Sequence, residues 1–433
     1  MPARPITDSS QASGWYAVLP SPAPAEQLVG EQTADYVVAG AGVTGLAAAR
    51  RLGELAPEAR IILLESHRVG YGTSGRNSGF IIDAACYTPT YDADYNSRML
   101  RLLRAGYGQI KSLIQHHDID CDWSEAGHFC ALANPRRVAL LQDICRSMDA
   151  IGDDYEWFEG SALEALIGTP FYHAAIRLPR TLLLNPASLC RGLGETLPPN
   201  VEVYEDSPVL KISAGETVRI ECAEGTITAK SLLLATNAFT PALGYLKRQL
   251  MPLQLYASLS KPLSEAQTAA MSGVPDWGIT PKAAMGSTIR RVGDRMAIRN
   301  IARHTSDFRL DQSLKARLQR THRELLAKRF PMLAELEMDY SWGGVIAMTD
   351  NYSAVFGRLE PGVFASMGYN GVGMARGTAS GAALAEFVLG GEGELIDDIM
   401  ALAGPSRFPP RPFLDIGVAV TVAWKNLWVG IDR

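Results

Sequence analysis

The sequence predicts an α/β protein in which a Rossmann-like domain, built to hold a dinucleotide, joins a second α+β domain on an antiparallel sheet. Three observations carry this. A β-branched run, Asp35-Tyr36-Val37-Val38-Ala39, leads into Gly40-Ala41-Gly42-Val43-Thr44-Gly45 and then an Ala- and Leu-rich helical stretch ending near Leu55. A second apolar run, Ile61-Ile62-Leu63-Leu64, ends in Glu65, about 20 residues past the last glycine. The chain has 433 residues, more than one hydrophobic core usually serves, so two domains are expected.

In the first motif Gly40 permits the tight turn out of the strand. Gly42 removes the side chain that would keep a pyrophosphate off the backbone, and Gly45 lets helix and strand approach. The amides of Val43 and Thr44 open the helix and face the phosphates. Glu65 is placed to accept from ribose hydroxyls.

The residues after Glu65 decide which dinucleotide. Ser66-His67-Arg68-Val69-Gly70-Tyr71-Gly72-Thr73-Ser74-Gly75-Arg76-Asn77-Ser78-Gly79 is rich in glycine and small hydroxyls. Nicotinamide enzymes need no such second loop, whereas extended FAD needs a further stretch along its ribityl chain. Glu-x-x-Arg-Val-Gly-x-Gly-x-Ser-Gly-Arg-Asn-x-Gly resembles the second flavin motif of the D-amino-acid oxidase superfamily. The pattern is nearest the gamma-glutamylputrescine oxidoreductase-like branch. The resemblance implies a glutathione-reductase-type FAD domain, with Glu65, Ser66, Arg68, Gly72, Thr73, Ser74, Arg76, Asn77, Ser78 and Gly79 along the cofactor.

Whole-chain composition sets further bounds. Hydrophobic residues make up 47%, charged residues 20%, and the formal net charge is −5 with no basic block, which argues against a nucleic-acid partner. Six cysteines, none in a Cys-x-x-Cys pair, point to reduced thiols and a cytoplasmic setting, with no metal site. No signal peptide is expected at the N-terminus.

Taken in order, residues 1–34 form an N-terminal arm, Pro- and Ser-rich with Trp15-Tyr16 as its apolar anchor. The resemblance favours an arm laid on the body. Residues 35–92, 182–248 and 340–400 are expected to build a discontinuous FAD domain, and residues 93–181 and 249–339 the substrate domain. Apolar spacing predicts helices over Ala93–His117 and Pro135–Ile151. His128 between them is expected to be structural. Val201 to Val209 resembles the family's strand that passes the adenine at Val209. Ser231 to Ala238 reads as a buried parallel strand delivering Thr236 and Asn237 at its C-terminal end. Ser313–Phe330 predicts a basic helix with a solvated face.

From Ser341 the chain is expected to return to the flavin through Gly343 and a last glycine-rich motif, Gly368-Tyr369-Asn370-Gly371-Val372-Gly373-Met374, opening a helix from about Gly377 to Leu389. The resemblance spans about residues 13–390. It departs from the family in three places: Asn370-Gly371-Val372-Gly373 for a Gly-His-Gly type element, apolar Phe80-Ile81-Ile82 after Gly79, and Arg299-Asn300 for paired glycines. All three fall at the expected catalytic face and bear on the substrate.

The implied reaction is oxidation of the C–N bond of a small amine or amino acid, with hydride passing to flavin N5 and an imine leaving to hydrolyse. Such chemistry needs a dry pocket and a grip on the rest of the substrate, with no obligatory base. Asn370 and the amides after it are placed to stabilise charge on reduced flavin. Arg290, where the family carries an arginine, would hold a carboxylate, with Tyr256 and Trp342 as walls. A flavin-binding electron-transfer module of a larger assembly is the alternative. FAD is expected without a covalent tether, because Arg76 stands where the family places a tethering histidine and no cysteine follows Cys222. The C-terminal tail, 401–433, carries an apolar stretch from Ile416 to Ile431, expected to pack on the body or a subunit partner in preference to a membrane.

Overall fold

The computed structural model describes residues 12–271, 276–283, 285–304, 310–402 and 404–432; the first part of the expected arm, residues 1–11, lies outside them. Two eight-stranded sheets organise the chain. In the first, five parallel strands run in the order Val363–Met367, Gly225–Leu234, Gly30–Ala39, Ile61–Leu64 and Val201–Tyr204. Val38 pairs with Leu63 on one side and Leu233 on the other.

These strands read as continuous apolar runs because both faces are covered. Val38, Ile61, Leu63 and Leu233 pack under the helices Val43–Leu55 and Met374–Val388. Val37, Ala39, Ile62, Leu64, Leu232 and Leu234 enter the opposite core, with Val218 and Ile220 of a hairpin strand. Strand one begins at Gly30, five residues earlier than expected, so the arm is correspondingly shorter.

The second sheet has the order Met338–Met348, Met251–Ser260, Arg295–Arg303, Thr288–Val292, Trp277–Pro281, His128–Leu132, Ala174–Leu178 and Glu156–Glu159. Its pairs are antiparallel except where Trp277–Pro281 runs parallel to His128–Leu132. The helix Gln312–Arg329 backs it, burying Leu326, with Phe330 just beyond stacked on Trp277. One boundary needs correcting. Residues 340–348 were expected in the cofactor domain, but they pair with Met251–Ser260 along their whole length and belong to this second sheet.

The arm is tied down where it enters. Ser13 caps the short turn Gly14–Ala17 and donates to the carbonyl of Gly75 at 2.9 Å. Trp15 donates to the carbonyl of Asn77, and the Tyr16 hydroxyl to that of Val69. The tail forms the helix Phe413–Val429. The expected packing of its apolar side on the body is not what the structure has: Ile416, Val420, Trp424 and Leu427 all face outward.

Candidate active site

All five parallel strands end on the same side, and a cavity of about 610 Å³ opens there, running across to the face of the second sheet. The turn after the first strand supplies Gly40, Gly42, Val43 and Thr44 to its wall. Gly40 has φ +102°, a conformation that excludes most side chains. Gly45 does not reach the cavity. A Cβ there would stand 1.8 Å from the carbonyl oxygen of Gly40, so its part is the close approach of helix and strand.

Glu65 lines the cavity and is buried. It already accepts from the amides of Ala41 (2.8 Å) and His67 (3.1 Å) and from the Ser66 hydroxyl (3.0 Å). Burial raises its pKa, and those bonds oppose the rise. Ser66 and His67 line the same end; Val209, Thr236 and Asn237 close it from the neighbouring strands. Arg68 turns away into an ion pair with Glu205 and a bond to the Ala23 carbonyl, and so leaves the cofactor set.

The second loop wraps over the first. The Ser74 hydroxyl accepts from the Val43 amide at 3.0 Å, and Asn77 ties the loop to itself through the Ser74 carbonyl and the Gly79 amide. Gly72, Thr73, Ser74, Arg76, Asn77 and Ser78 all reach the cavity; Gly79 lies behind them. Arg76 is sunk in the loop, donating Nε to the Tyr71 carbonyl and Nη1 to the Gly343 carbonyl. Gly343 thus supports Arg76, and its neighbour Gly344 forms the wall.

The last loop brings Tyr369, Asn370, Gly371, Val372, Gly373 and Met374 to the cavity, with Gly368 just outside it. Asn370 sits at φ +55° and holds its own loop, accepting from the Thr349 amide at 2.8 Å and donating to the Gly368 carbonyl at 3.0 Å.

Two expected substrate residues are displaced. The Arg290 guanidinium lies beneath the second loop, donating to the carbonyls of Ser78, Gly79 and Leu184, and is absent from the cavity wall. Trp342 is also behind the wall, donating to the Arg76 carbonyl at 3.0 Å and meeting Trp15 edge-on. Tyr256 does line the cavity.

The substrate-side wall contains residues that local pattern could not pick out: Tyr87, Thr280, Lys282, Thr288 and Arg299. Arg299 is directly opposite Thr288 in the sheet and donates to its hydroxyl at 2.5 Å. Burial lowers the Arg299 pKa, the Tyr87 hydroxyl opposing. Behind Tyr87 lies His128, fully buried, bonded to the Thr181 hydroxyl at 2.8 Å and stacked on the tyrosine ring. Burial pushes its pKa down to about 3, so it is neutral and structural.

A model of the DAO family, described as FAD dependent oxidoreductase, matches residues 35–387. The chain belongs to the DAO family. It is 28% identical over 418 residues to gamma-glutamylputrescine oxidoreductase of Escherichia coli (strain K12), covering 93% of each chain. It is 26% identical over 408 residues to the probable oxidoreductase OrdL of Haemophilus influenzae, covering 90% of this chain and 91% of that one. Glycine oxidase from Geobacillus kaustophilus superposes with a TM-score of 0.71 at 18% identity, over 84% of this chain and 96% of the other, a likeness of fold.

DAO-family membership makes FAD the expected cofactor, and two features of the cavity fit it. Arg76 Nη2 is buried without a hydrogen-bond partner among the described residues, and a donor so placed calls for an acceptor on a ligand, such as a flavin carbonyl. His67 Nε2 is likewise buried and unsatisfied at the Glu65 end.

Proposed function

We propose that this DAO-family enzyme oxidises the C–N bond of an amine that also carries a carboxylate, with FAD held non-covalently. One observation carries the substrate class. The wall facing the second sheet presents two cations, Arg299 and Lys282; among the described residues no carboxylate pairs with either, and the Tyr87 hydroxyl is the group that acts on Arg299. Glu65, at the far end, is the cavity's one carboxylate among those residues, and it is already occupied by main-chain amides. A half-buried guanidinium that meets no carboxylate among the described residues favours an anionic ligand, which it would hold on two parallel bonds. A substrate with cationic groups alone would meet like charge here. The names glycine oxidase and gamma-glutamylputrescine oxidoreductase support an amine or amino acid in the same sense.

Bound FAD would accept the electron pair and hydrogen lost from the carbon bearing nitrogen. The chain's own contribution is positioning and exclusion of water. Arg299, aligned by Thr288, and Lys282 fix the carboxylate; Leu255, Tyr256, Met285 and Ile346 supply apolar walls around the reacting carbon. The amides of Gly371–Gly373, at the N-terminus of the helix Met374–Val388, offer positive potential to charge that accumulates on the flavin ring. The six cysteines are buried free thiols, which supports a reducing, cytoplasmic setting.

Anaerobic addition of candidate amines to the yellow holoprotein tests the proposal. Carboxylate-bearing amines should bleach the flavin, and simple diamines of equal length should not. Bleaching by diamines alone would overturn the substrate class, and a flavin that no amine reduces would favour an electron-transfer module.

A further inference from the structure

The C-terminal helix Phe413–Val429 turns its apolar side to solvent. Val420 is 63% exposed, Trp424 60% and Leu427 84%, with Phe413 and Ile416 on the same stripe. Within Phe413–Asp432 an 18-residue window has mean hydropathy 1.3, and 6% of it is buried inside the protein. Its charges are reversed from those of an ordinary surface helix: Asp415 and Lys425 sit half-buried on the body side, and no charged side chain lies on the outward one. Water does not favour such a face, so something apolar covers it.

Both ends of the helix are fastened to the same body. At its start, Asp415 pairs with His304 at 2.8 Å, and Arg248 holds the Phe408 carbonyl at 2.7 Å. At its end, Arg137 binds the carbonyls of Trp428 and Val429 and stacks on the Trp428 ring, while Asp432 accepts from the Ala133 amide at 2.5 Å. With the turn that follows it the segment runs 20 residues, Phe413–Asp432, about 30 Å and enough to cross a bilayer core. Length does not decide its placement; the fastening does, because a helix tied at both ends to one domain lies along a membrane.

We infer that this helix seats the enzyme in the plane of an anionic lipid surface. The rim supplies the charge complement. Exposed Arg303 and Arg407 flank its start and Arg136 its end, with Arg411 paired to Asp415 at 3.5 Å, although the whole chain carries −5. The same rim argues against a second copy as occupant. Basic groups at both ends would meet like charge in a parallel or an antiparallel pair, and the stripe is flanked by Gly417, Ala419, Thr421 and Ala423 where a paired helix would place complementary charges.

The test is flotation of the holoprotein with vesicles of phosphatidylcholine, with and without a one-third share of phosphatidylglycerol. Binding is expected to the anionic vesicles, weakened by high salt and reversed by alkaline carbonate, as for a helix that does not span. The double variant Trp424→Asp, Leu427→Asp changes exposed positions only, so it should keep the flavin spectrum while losing vesicle affinity by about tenfold or more. Retention after carbonate would overturn the in-plane placement. A holoprotein that ignores both vesicles would overturn the inference, whether it is a monomer or a dimer that the double variant dissociates.

Discussion

The indole N–H of Trp15 donates to the main-chain carbonyl of Asn77 at 2.7 Å, so the N-terminal arm holds the second glycine-rich loop against the cofactor cavity. Trp15→Phe keeps most of the packing against Trp342 and removes this bond, which should cost about 1 kcal/mol of stability. Trp15→Ala should cost about 3–5 kcal/mol and release FAD during gel filtration. Melting curves of apo and holo forms measure both effects. Equal losses in the two forms would mean that the arm stabilises the fold without touching the cofactor.

Glu65 serves the protein before it serves any ligand, since two main-chain amides already point at its carboxylate. Glu65→Gln should therefore lower apo-protein stability and weaken FAD together. Loss of charge-assisted bonds worth about 1.5–3 kcal/mol each predicts a Kd raised roughly tenfold to a hundredfold. Titration of FAD into the apo variant, beside its melting curve, reads the two. Unchanged affinity with lowered stability would confine Glu65 to the turn.

For Arg299, replacement by Met should leave the flavin spectrum intact and lower kcat/KM for a carboxylated amine about a hundredfold, while Lys at that position restores part of it. Rapid-mixing reduction kinetics give the number. A variant reduced at the normal rate would remove Arg299 from the substrate.

Two buried histidines make stability fall in acid. Burial pushes His128 down to about 3 and His322 to about 4, whereas both would titrate near 6.5 in the unfolded chain. Below that value the unfolded state binds more protons, so stability is full above about pH 6.5 and falls as pH drops toward 4. Each histidine contributes up to about 1.4 kcal/mol per pH unit. Urea midpoints between about pH 7 and about pH 5 should show the slope, and His128→Gln should reduce it without abolishing it, because burial also lowers the pKa values of His322, His67 and His117; no reduction would mean His128 is not a proton acceptor on unfolding.

Acid precipitation should leave the pellet colourless, with all flavin in the supernatant. Arg76 and His67 both reach the cavity, Arg76 in the second loop and His67 at the Glu65 end. Colour retained by the pellet would contradict the non-covalent proposal.

The glycine-rich walls of the site were legible because their chemistry is local. Gly40 to Thr44, Gly72 to Ser78 and Tyr369 to Met374 are runs whose spacing alone specifies turns and amides, and each run reaches the cavity. The substrate face was not legible. Arg290, Arg291, Arg295, Arg299 and Arg303 crowd one segment, and which of them faces the cavity depends on the pairing of Thr288 with Arg299, a tertiary fact. Arg290 and Trp342 carry the residue types expected of a site but hold the back of the second loop. The boundary near residue 340 failed for a related reason: glycine-rich sequence there marks the wall after Arg76, while the pairing partner is Met251–Ser260.

The discontinuity of the first sheet has a consequence during biosynthesis. Its central strands are Gly30–Ala39 and Gly225–Leu234, and the loop that closes the cavity, ending at Met374, comes after the last parallel strand in the chain, Val363–Met367. At a typical 5–20 residues per second, roughly 15–65 s separate translation of Gly40 from that of Asn370. For that interval the emerging chain has the first glycine turn and no enclosed cradle. FAD cannot serve as a template for early folding, so flavin scarcity in the cell should leave finished but unloaded protein in preference to truncated or misfolded intermediates.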